Sequence, residues 1–150
     1  MNMEFYQDWK ELLALLNRHG VEYAVVGSVA LAHHGRPRYT KDLDLLVQVA
    51  PGNAQRLMAA LTEFGFGSVG LKKDDFLEVG AIIQLGYEPV RIDLMTSLLG
   101  VTWSEIADSR ETMDFGGVLA PVIGREQFIK AKRASGRKSD LGDLERLGIE

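Results

Sequence analysis

The stretch Asp42-Leu43-Asp44-Leu45-Leu46-Val47-Gln48-Val49 decides the fold. Its apolar and β-branched residues predict a buried strand. Aspartate is disfavoured inside strands, so the two acids at the entrance of this strand need a physical reason. Residues two apart in a strand share a face at about 6.6 Å, so Asp42 and Asp44 can converge on shared cations such as Mg²⁺ or Mn²⁺. The alternative is that both acids are caps or solvated strand ends.

A shorter strand and a helix precede this stretch. Residues 21–26 predict a buried strand that Gly27 ends, and a helix opens at Gly27-Ser28 and runs to about His34. The free N–H groups of a helix start attract phosphate, and a glycine lets the backbone approach it closely. The Ser28 hydroxyl can add a donor. The alternative is that Gly27 only makes a turn and Ser28 only caps the helix.

A third acid lies in Val90-Arg91-Ile92-Asp93-Leu94, which also predicts a strand. If this strand lies beside the Asp42/Asp44 strand, three carboxylates meet, and Asp93 can act both as a metal ligand and as a general base. Arg91 shares a face with Asp93, so an ion pair between these two side chains is the alternative. The sequence leaves both interpretations open.

The remaining pattern alternates helices and strands without strict regularity. It predicts a helix ending near Gly20, a helix from Pro51 to Gly65, paired strands at 81–85 and 90–94, a short helix after a capping box at Thr102 and Glu105, a strand at 118–123, and helices at 124–135 and 139–147. We therefore expect one α+β domain over residues 1–150, with a mixed β-sheet flanked by helices.

Composition excludes several classes of protein. The 150 residues carry 17 Lys and Arg against 21 Asp and Glu, so net charge of −4 gives no general attraction to nucleic acid. The absence of cysteine excludes disulfides, thiolate metal sites and cysteine nucleophiles. The first residues lack the pattern of a signal peptide, and no run of about 18 apolar residues occurs. We expect a cytoplasmic protein without a membrane partner.

Positive charge is concentrated near the end of the chain. From Arg125 to Lys138 there are six basic residues against one acid, Glu126. Such a segment can neutralise bound phosphates or form a solvated helix face. The loop before Asp42 adds further candidates for phosphate or acceptor contact, namely Arg36, Arg38 and Lys41.

In combination, these motifs resemble the nucleotidyltransferase superfamily typified by DNA polymerase β. The motifs that carry the resemblance are Val26-Gly27-Ser28, Asp42-Leu43-Asp44-Leu45 and Ile92-Asp93-Leu94. The resemblance implies a mixed-sheet core, a nucleoside triphosphate donor and two Mg²⁺ ions, with Mn²⁺ as a substitute. It also implies that Asp42 and Asp44 bind both metals, that Asp93 is the third ligand and activates the acceptor, and that Gly27 and Ser28 grip the triphosphate.

The segment from Phe128 to Leu144 resembles the ending of small bacterial stand-alone nucleotidyltransferases, similar to the toxins of abortive-infection and toxin–antitoxin systems. That likeness implies that Lys132 lies near the triphosphate, and that an antitoxin protein is a candidate partner. From this likeness we expect a protein without the additional domain that larger relatives use to hold an acceptor. The acceptor is therefore open between an RNA 3′ end and a small molecule. A nucleotide-binding or protein-binding module without turnover is the alternative function.

The adjacent histidines His33 and His34 give no metal prediction. Neighbouring residues of a helix point in different directions, and no third histidine is close in sequence. We therefore expect no zinc site at this position.

Overall fold

The computed structural model describes residues 7–35, 42–67, 70–86 and 91–149. The strands are β1 (Tyr23–Val26), β2 (Asp42–Val47), β3 (Ile82–Leu85), β4 (Arg91–Met95), β5 (Glu111–Phe115) and β6 (Val118–Val122). The helices are α1 (Gln7–Arg18), α2 (Gly27–His33), α3 (Pro51–Leu61), α4 (Trp103–Ser109), α5 (Arg125–Ser135) and α6 (Lys138–Arg146). A π-helical turn, Thr62–Phe66, follows α3, and a 3₁₀ turn, Lys73–Phe76, precedes β3.

The strands form one mixed sheet in the order β3-β4-β2-β1-β6-β5. Strand β2 is parallel to β4 and antiparallel to β1, while β1 is parallel to β6. Antiparallel pairs, β3 with β4 and β5 with β6, complete the two edges. This architecture confirms the prediction of an α+β fold with a mixed sheet flanked by helices.

The core explains why the predicted elements form. All four residues of β1 are buried, and α1 packs one apolar stripe, Trp9, Leu12, Leu13 and Leu16, into the same core. Each such leucine contributes about 1.5–3 kcal/mol by leaving water. Because β1 and β2 are held by this burial, the acids at the start of β2 have a rigid support.

Most boundaries agree with the sequence pattern, and two elements differ. The capping box is confirmed, because the Thr102 hydroxyl accepts a hydrogen bond from the Glu105 N–H and the Glu105 carboxylate accepts one from the Thr102 N–H. Helix α3 ends at Leu61, where the chain enters the π-helical turn instead of continuing regularly to Gly65. Strand β5 was not predicted, because only Met113 and Phe115 of its five residues are buried.

Arg36, Arg38 and Lys41 lie outside the described residues. In the described parts of the chain, no helix combines the length and the apolar character that crossing a membrane requires.

Candidate active site

The three aspartates singled out in the sequence lie together in the sheet. Strands β2 and β4 are parallel neighbours, and their register sets Asp44 opposite Asp93 and Asp42 opposite Arg91. One carboxylate oxygen of each aspartate lies within 4.8 Å of one from each of the other two. We call Asp42, Asp44 and Asp93 the acidic trio. Asp93 is 6% exposed, and the other two are half-buried.

Gly27 makes room for this trio. It begins α2 with a φ of +69°, which is a left-handed conformation that side chains disfavour. A Cβ atom at this position would lie 2.9 Å from Cγ of Asp44 and would overlap its carboxylate oxygen. Glycine is therefore required for two reasons, and the start of α2 at Gly27 lies directly beside Asp44.

The surroundings of Asp44 favour the protonated form of its carboxyl group. Burial, the nearby charges of Asp93 and Asp42 and a hydrogen bond with Asp93 raise the pKa of Asp44 to about 7, although Lys132 acts in the opposite direction. Asp44 therefore keeps its proton up to about neutral pH, where its carboxyl group can donate a hydrogen bond to Asp93. This arrangement is typical of carboxylates that are built to face a cation.

Arg91 contacts the trio from one side. Its Nη2 lies 3.2 Å from Oδ2 of Asp93, its Nε donates to Oδ1 of Asp93 at 3.2 Å, and Nε lies 3.8 Å from Oδ1 of Asp42. Both interpretations left open by the sequence therefore hold, because Asp93 joins the trio and also pairs with Arg91.

The donor set fits a hard divalent cation. Three carboxylates that approach each other this closely, with the pKa of Asp44 raised by its neighbours, are oxygen ligands of the kind that Mg²⁺ and Mn²⁺ prefer. Asp42, Asp44 and Asp93 would hold the ion. The Arg91 guanidinium is the competing cation in the described part of the chain.

Lys132 approaches the same region from α5. Its Nζ donates to Oδ1 of Asp140 at 3.0 Å and lies 3.2 Å from Oδ2 of Asp143, two α6 acids that are 3% and 4% exposed. We call these three residues the Lys132 cluster. Asp140 also accepts from Arg137 at 2.7 Å and from the Ser135 hydroxyl. Burial alone would raise the pKa of Asp140, but the hydrogen bonds from Arg137, Ser135 and Lys132 outweigh it and lower that pKa to about 2.

A cavity of about 420 Å³ extends from Asp44 of the acidic trio to Lys132 and Asp140 of the Lys132 cluster. Gly27, Asp44, Lys132 and Asp140 line its polar side. Its other walls are apolar and are formed mainly by Ile82, Met95, Leu98, Leu99, Ile123 and Phe128. The structure thus brings Gly27, Asp44 and Lys132, predicted from distant motifs, to one cavity.

Sequence reasoning missed the two acids that hold Lys132. The available signal was the spacing of Asp140 and Asp143, three residues apart on one face of a helix that follows a basic segment. Counting net charge over that segment hid this pairing. Three of its six basic residues face acids, Lys130 with Glu105 at 2.7 Å, and Lys132 and Arg137 with Asp140.

Comparison with known proteins is consistent with this site. Residues 5–149 match the model of a family described as nucleotidyl transferase of unknown function, DUF2204. No curated protein matches the chain in sequence at a significant level.

Solved structures share the fold at 15% sequence identity. A Thermotoga maritima protein described as a nucleotidyltransferase, TM1012, has a TM-score of 0.63, with 92% of this chain and 88% of that chain covered. The lincosamide antibiotic adenylyltransferase LnuA, solved with lincomycin bound, has a TM-score of 0.58 and 98% coverage of both chains. An antigenic nucleotidyltransferase-like protein from Paracoccidioides brasiliensis has a TM-score of 0.55, with 92% and 71% covered. Because the family model DUF2204 matches nearly the whole sequence, the chain belongs to that family of nucleotidyltransferase enzymes.

Proposed function

We propose that the protein transfers a nucleoside monophosphate from a nucleoside triphosphate to a hydroxyl acceptor in a Mg²⁺-dependent reaction. The observation that carries the proposal is the convergence of Asp42, Asp44 and Asp93 beside Gly27. Two Mg²⁺ ions, or Mn²⁺ in their place, would be held by these three carboxylates. When bound, they supply Lewis-acid stabilisation of the charge that develops on the attacking and leaving oxygens.

The chain's own residues supply the base and the positioning. The acceptor oxygen attacks the α-phosphorus, the bond from that phosphorus to the bridging oxygen breaks, and pyrophosphate leaves. The proton of the acceptor hydroxyl passes to the Asp93 carboxylate. Positioning and electrostatic stabilisation account for most of the rate in phosphoryl transfer, so the rigid sheet that carries these acids is part of the mechanism.

The donor nucleotide fits the cavity beside the trio. Gly27 and Ser28 would grip the triphosphate at the start of α2, and the Lys132 ammonium would contact it from α5. Arg38 and Lys41 stay predictions for further phosphate contacts. The apolar walls around Phe128 suit the faces of a nucleobase, because bases pack well against apolar and aromatic side chains.

A small hydroxyl-bearing molecule is the acceptor that the charge distribution favours. An RNA acceptor needs basic groups beyond the nucleotide pocket that are free to contact phosphates, whereas Lys130 and Arg137 face acids of the same chain. LnuA, which has a similar fold, was solved with lincomycin bound. An RNA 3′ end and an antitoxin partner, both drawn from the toxin-like resemblance, stay predictions. If they hold, induced expression slows growth and labelled nucleotide appears on RNA.

The decisive experiment measures label transfer from α-labelled nucleoside triphosphates with Mg²⁺ or Mn²⁺. Asp42→Ala and Asp93→Ala should each lower the rate by about a thousandfold or more, since each loses several kcal/mol of charge stabilisation. Asp8→Asn, an exposed acid of α1, is the matched control and should keep the rate. Wild-type activity in both trio variants would refute the assignment.

A nucleotide-binding module without turnover is the second candidate, and the Arg91 ion pair favours it because a guanidinium already faces two of the acids. Calorimetry separates the two functions. The enzyme should bind the triphosphate more tightly with Mg²⁺ and release pyrophosphate. Mg²⁺-independent binding of the nucleotide without pyrophosphate release would identify the module.

A further inference from the structure

A second group of metal-ligating side chains lies outside the acidic trio and takes no part in the proposed transfer. One ring nitrogen each from His33 and His34 and one carboxylate oxygen of Glu111 lie within 4.8 Å of one another. The expectation that the two histidines diverge is wrong, because α2 ends at His33 and His34 lies beyond the helix. Their ring centroids are 4.9 Å apart.

The sheet explains how Glu111 joins the pair. Glu111 begins β5 and lies opposite Val122, the last residue of β6. The residue after Val122 is Ile123, whose carbonyl oxygen accepts a hydrogen bond at 2.7 Å from Nε2 of His34. A carbonyl oxygen only accepts, so Nε2 of His34 carries the proton. In the neutral ring, Nδ1 therefore holds the free lone pair that a metal needs.

The distances suit a tetrahedral ion. Nε2 of His33 and Oε1 of Glu111 lie 3.2 Å apart, and two ligands at the usual bond lengths of about 2.0–2.1 Å on a tetrahedral Zn²⁺ are separated by about 3.3 Å. The second carboxylate oxygen of Glu111 accepts from the Arg125 backbone N–H at 3.3 Å. Hydrogen bonds behind His34 and Glu111 of this kind orient metal ligands in known sites.

We propose that His33, His34 and Glu111 form a binding site for one Zn²⁺-type cation. Two imidazoles and one carboxylate are a ligand set that Zn²⁺ uses, and the fourth position would be left to water. The site joins the end of α2 to the β5–β6 pair, elements that are distant in sequence. It does not rest on the proposed transfer reaction, since its ligands are separate from Asp42, Asp44 and Asp93.

The test is titration of the full-length, metal-free protein with Zn²⁺ against a chromophoric chelator, and with Co²⁺ monitored by visible absorption. One equivalent should bind, and His33→Ala, His34→Ala and Glu111→Gln should each weaken binding by about tenfold or more. His19→Ala is the matched control, because His19 is comparably exposed and also faces a single glutamate, Glu63, at 3.1 Å. It should bind as the wild type does.

Two further measurements keep the result unambiguous. Asp42→Asn/Asp44→Asn should leave the Zn²⁺ site intact, which separates it from the acidic trio. Imidazole nitrogen resonances should shift with Zn²⁺ for His33 and His34 and stay fixed for His19. His34→Ala also removes the hydrogen bond to Ile123, so circular dichroism must show that this variant is folded. His33→Gln leaves that hydrogen bond in place and therefore tests the site with less risk to the fold. No saturable binding, or binding as tight as that of the wild type in both His33→Gln and Glu111→Gln, would overturn the site.

Discussion

The acidic trio and the Lys132 cluster both contain buried or half-buried aspartates, but the pKa values of Asp44 and Asp140 are shifted in opposite directions. Asp140 and Asp143 face Lys132, Arg137 and Arg146 at distances of 2.7–3.2 Å. In the acidic trio, Arg91 pairs with Asp93 at 3.2 Å and lies 3.8 Å from Asp42. The pKa of Asp140 is accordingly lowered to about 2, whereas that of Asp44 is raised to about 7.

This difference separates a structural cluster from a functional one. The Lys132 cluster satisfies its own charges, so it stabilises the folded state and fixes the Lys132 ammonium at the cavity. In the trio, burial and the neighbouring acids disfavour the charged form of Asp44, which costs folding free energy when it ionises and is relieved when a cation binds. The fold thus accommodates the acidic trio, which lowers the stability of the folded state, close to the Lys132 cluster, which raises it.

The largest expected effect is on the Lys132 cluster. Asp140→Asn should lower the free energy of unfolding by about 2–3 kcal/mol, because Lys132 loses one of its two buried carboxylate partners and Arg137 loses its ion pair. Because the folded pKa is depressed, this stabilisation is present above the ordinary pKa of about 3.9 and is lost as pH falls towards 2. Urea denaturation at pH 7 and acid titration measure both effects.

Glu63→Gln is the matched control for that variant. Glu63 pairs with Arg18 on the surface, where both side chains are exposed, and such pairs contribute about 0–1 kcal/mol. If Asp140→Asn cost no more than Glu63→Gln, the Lys132 cluster would not be the stabilising half of the comparison.

A glycine substitution should show how tightly the trio is packed. Gly27→Ala places a methyl group against Asp44 and should lower the transfer rate by about a hundredfold, since displacement of about 1 Å at a reacting group has that effect. Gly20→Ala is the control, because its φ is also +69° and the nearest atom to its Cβ, Cδ of Arg56, is at 3.8 Å. An alanine at Gly20 therefore causes the same backbone strain as an alanine at Gly27, without the contact with Asp44. Equal rates in both variants would mean that the contact with Asp44 is unimportant.

Asp44→Asn should have the opposite sign from Asp140→Asn. Below pH 4 Asp44 is protonated in both the folded and the unfolded chain, so the substitution has little effect. Between pH 4 and about 7 the folded state keeps the proton that the unfolded state loses, and the stability of the wild type falls as pH rises. Above pH 7 the variant should be more stable by roughly 2 kcal/mol in metal-free buffer, with the raised pKa discounted for solvent screening.

Urea denaturation at pH 4, 6 and 8 in the presence of a chelator measures this prediction. Added Mg²⁺ should reverse the order at pH 8, because it stabilises the wild type and not the variant. A variant that is less stable than the wild type at pH 8 without metal would show that the trio's charge is already compensated.

The sequence predicted elements whose apolar pattern is strong and missed those whose pattern is weak. Strand β2 and helix α1 each bury a continuous face, so periodicity identifies them. Strand β5 lies at the edge of the sheet with three of its five residues exposed, and the 3₁₀ turn Lys73–Phe76 is mostly polar. In neither is there enough buried surface to leave a periodic signal.

The site was predicted in its parts and not in its pairing. The register of Asp44 with Asp93 depends on a long-range parallel contact that spacing along the chain cannot give, and it was inferred from resemblance alone. The approach of Glu111 to His33 is likewise a contact between elements distant in sequence. Lys132 and Asp140 are only eight residues apart, but their contact depends on how α5 and α6 pack, which the spacing does not give. Local pattern identifies the chemistry of a residue, whereas tertiary packing selects its partner.

The smallest expected effect concerns the cation that the trio already contacts. If Arg91 competes with metal, Arg91→Met should strengthen Mn²⁺ binding by about tenfold, because a positive charge within 4 Å of Asp42 and Asp93 is removed. Titration at pH 8 measures the affinity, and Arg18→Met, an exposed pair with Glu63, should leave it unchanged. Weaker binding in Arg91→Met would mean that the guanidinium orients Asp93 as a ligand. The acidic trio would then depend on the Arg91 guanidinium for its geometry, as the Lys132 cluster depends on Lys132, and the two groups would differ only in degree.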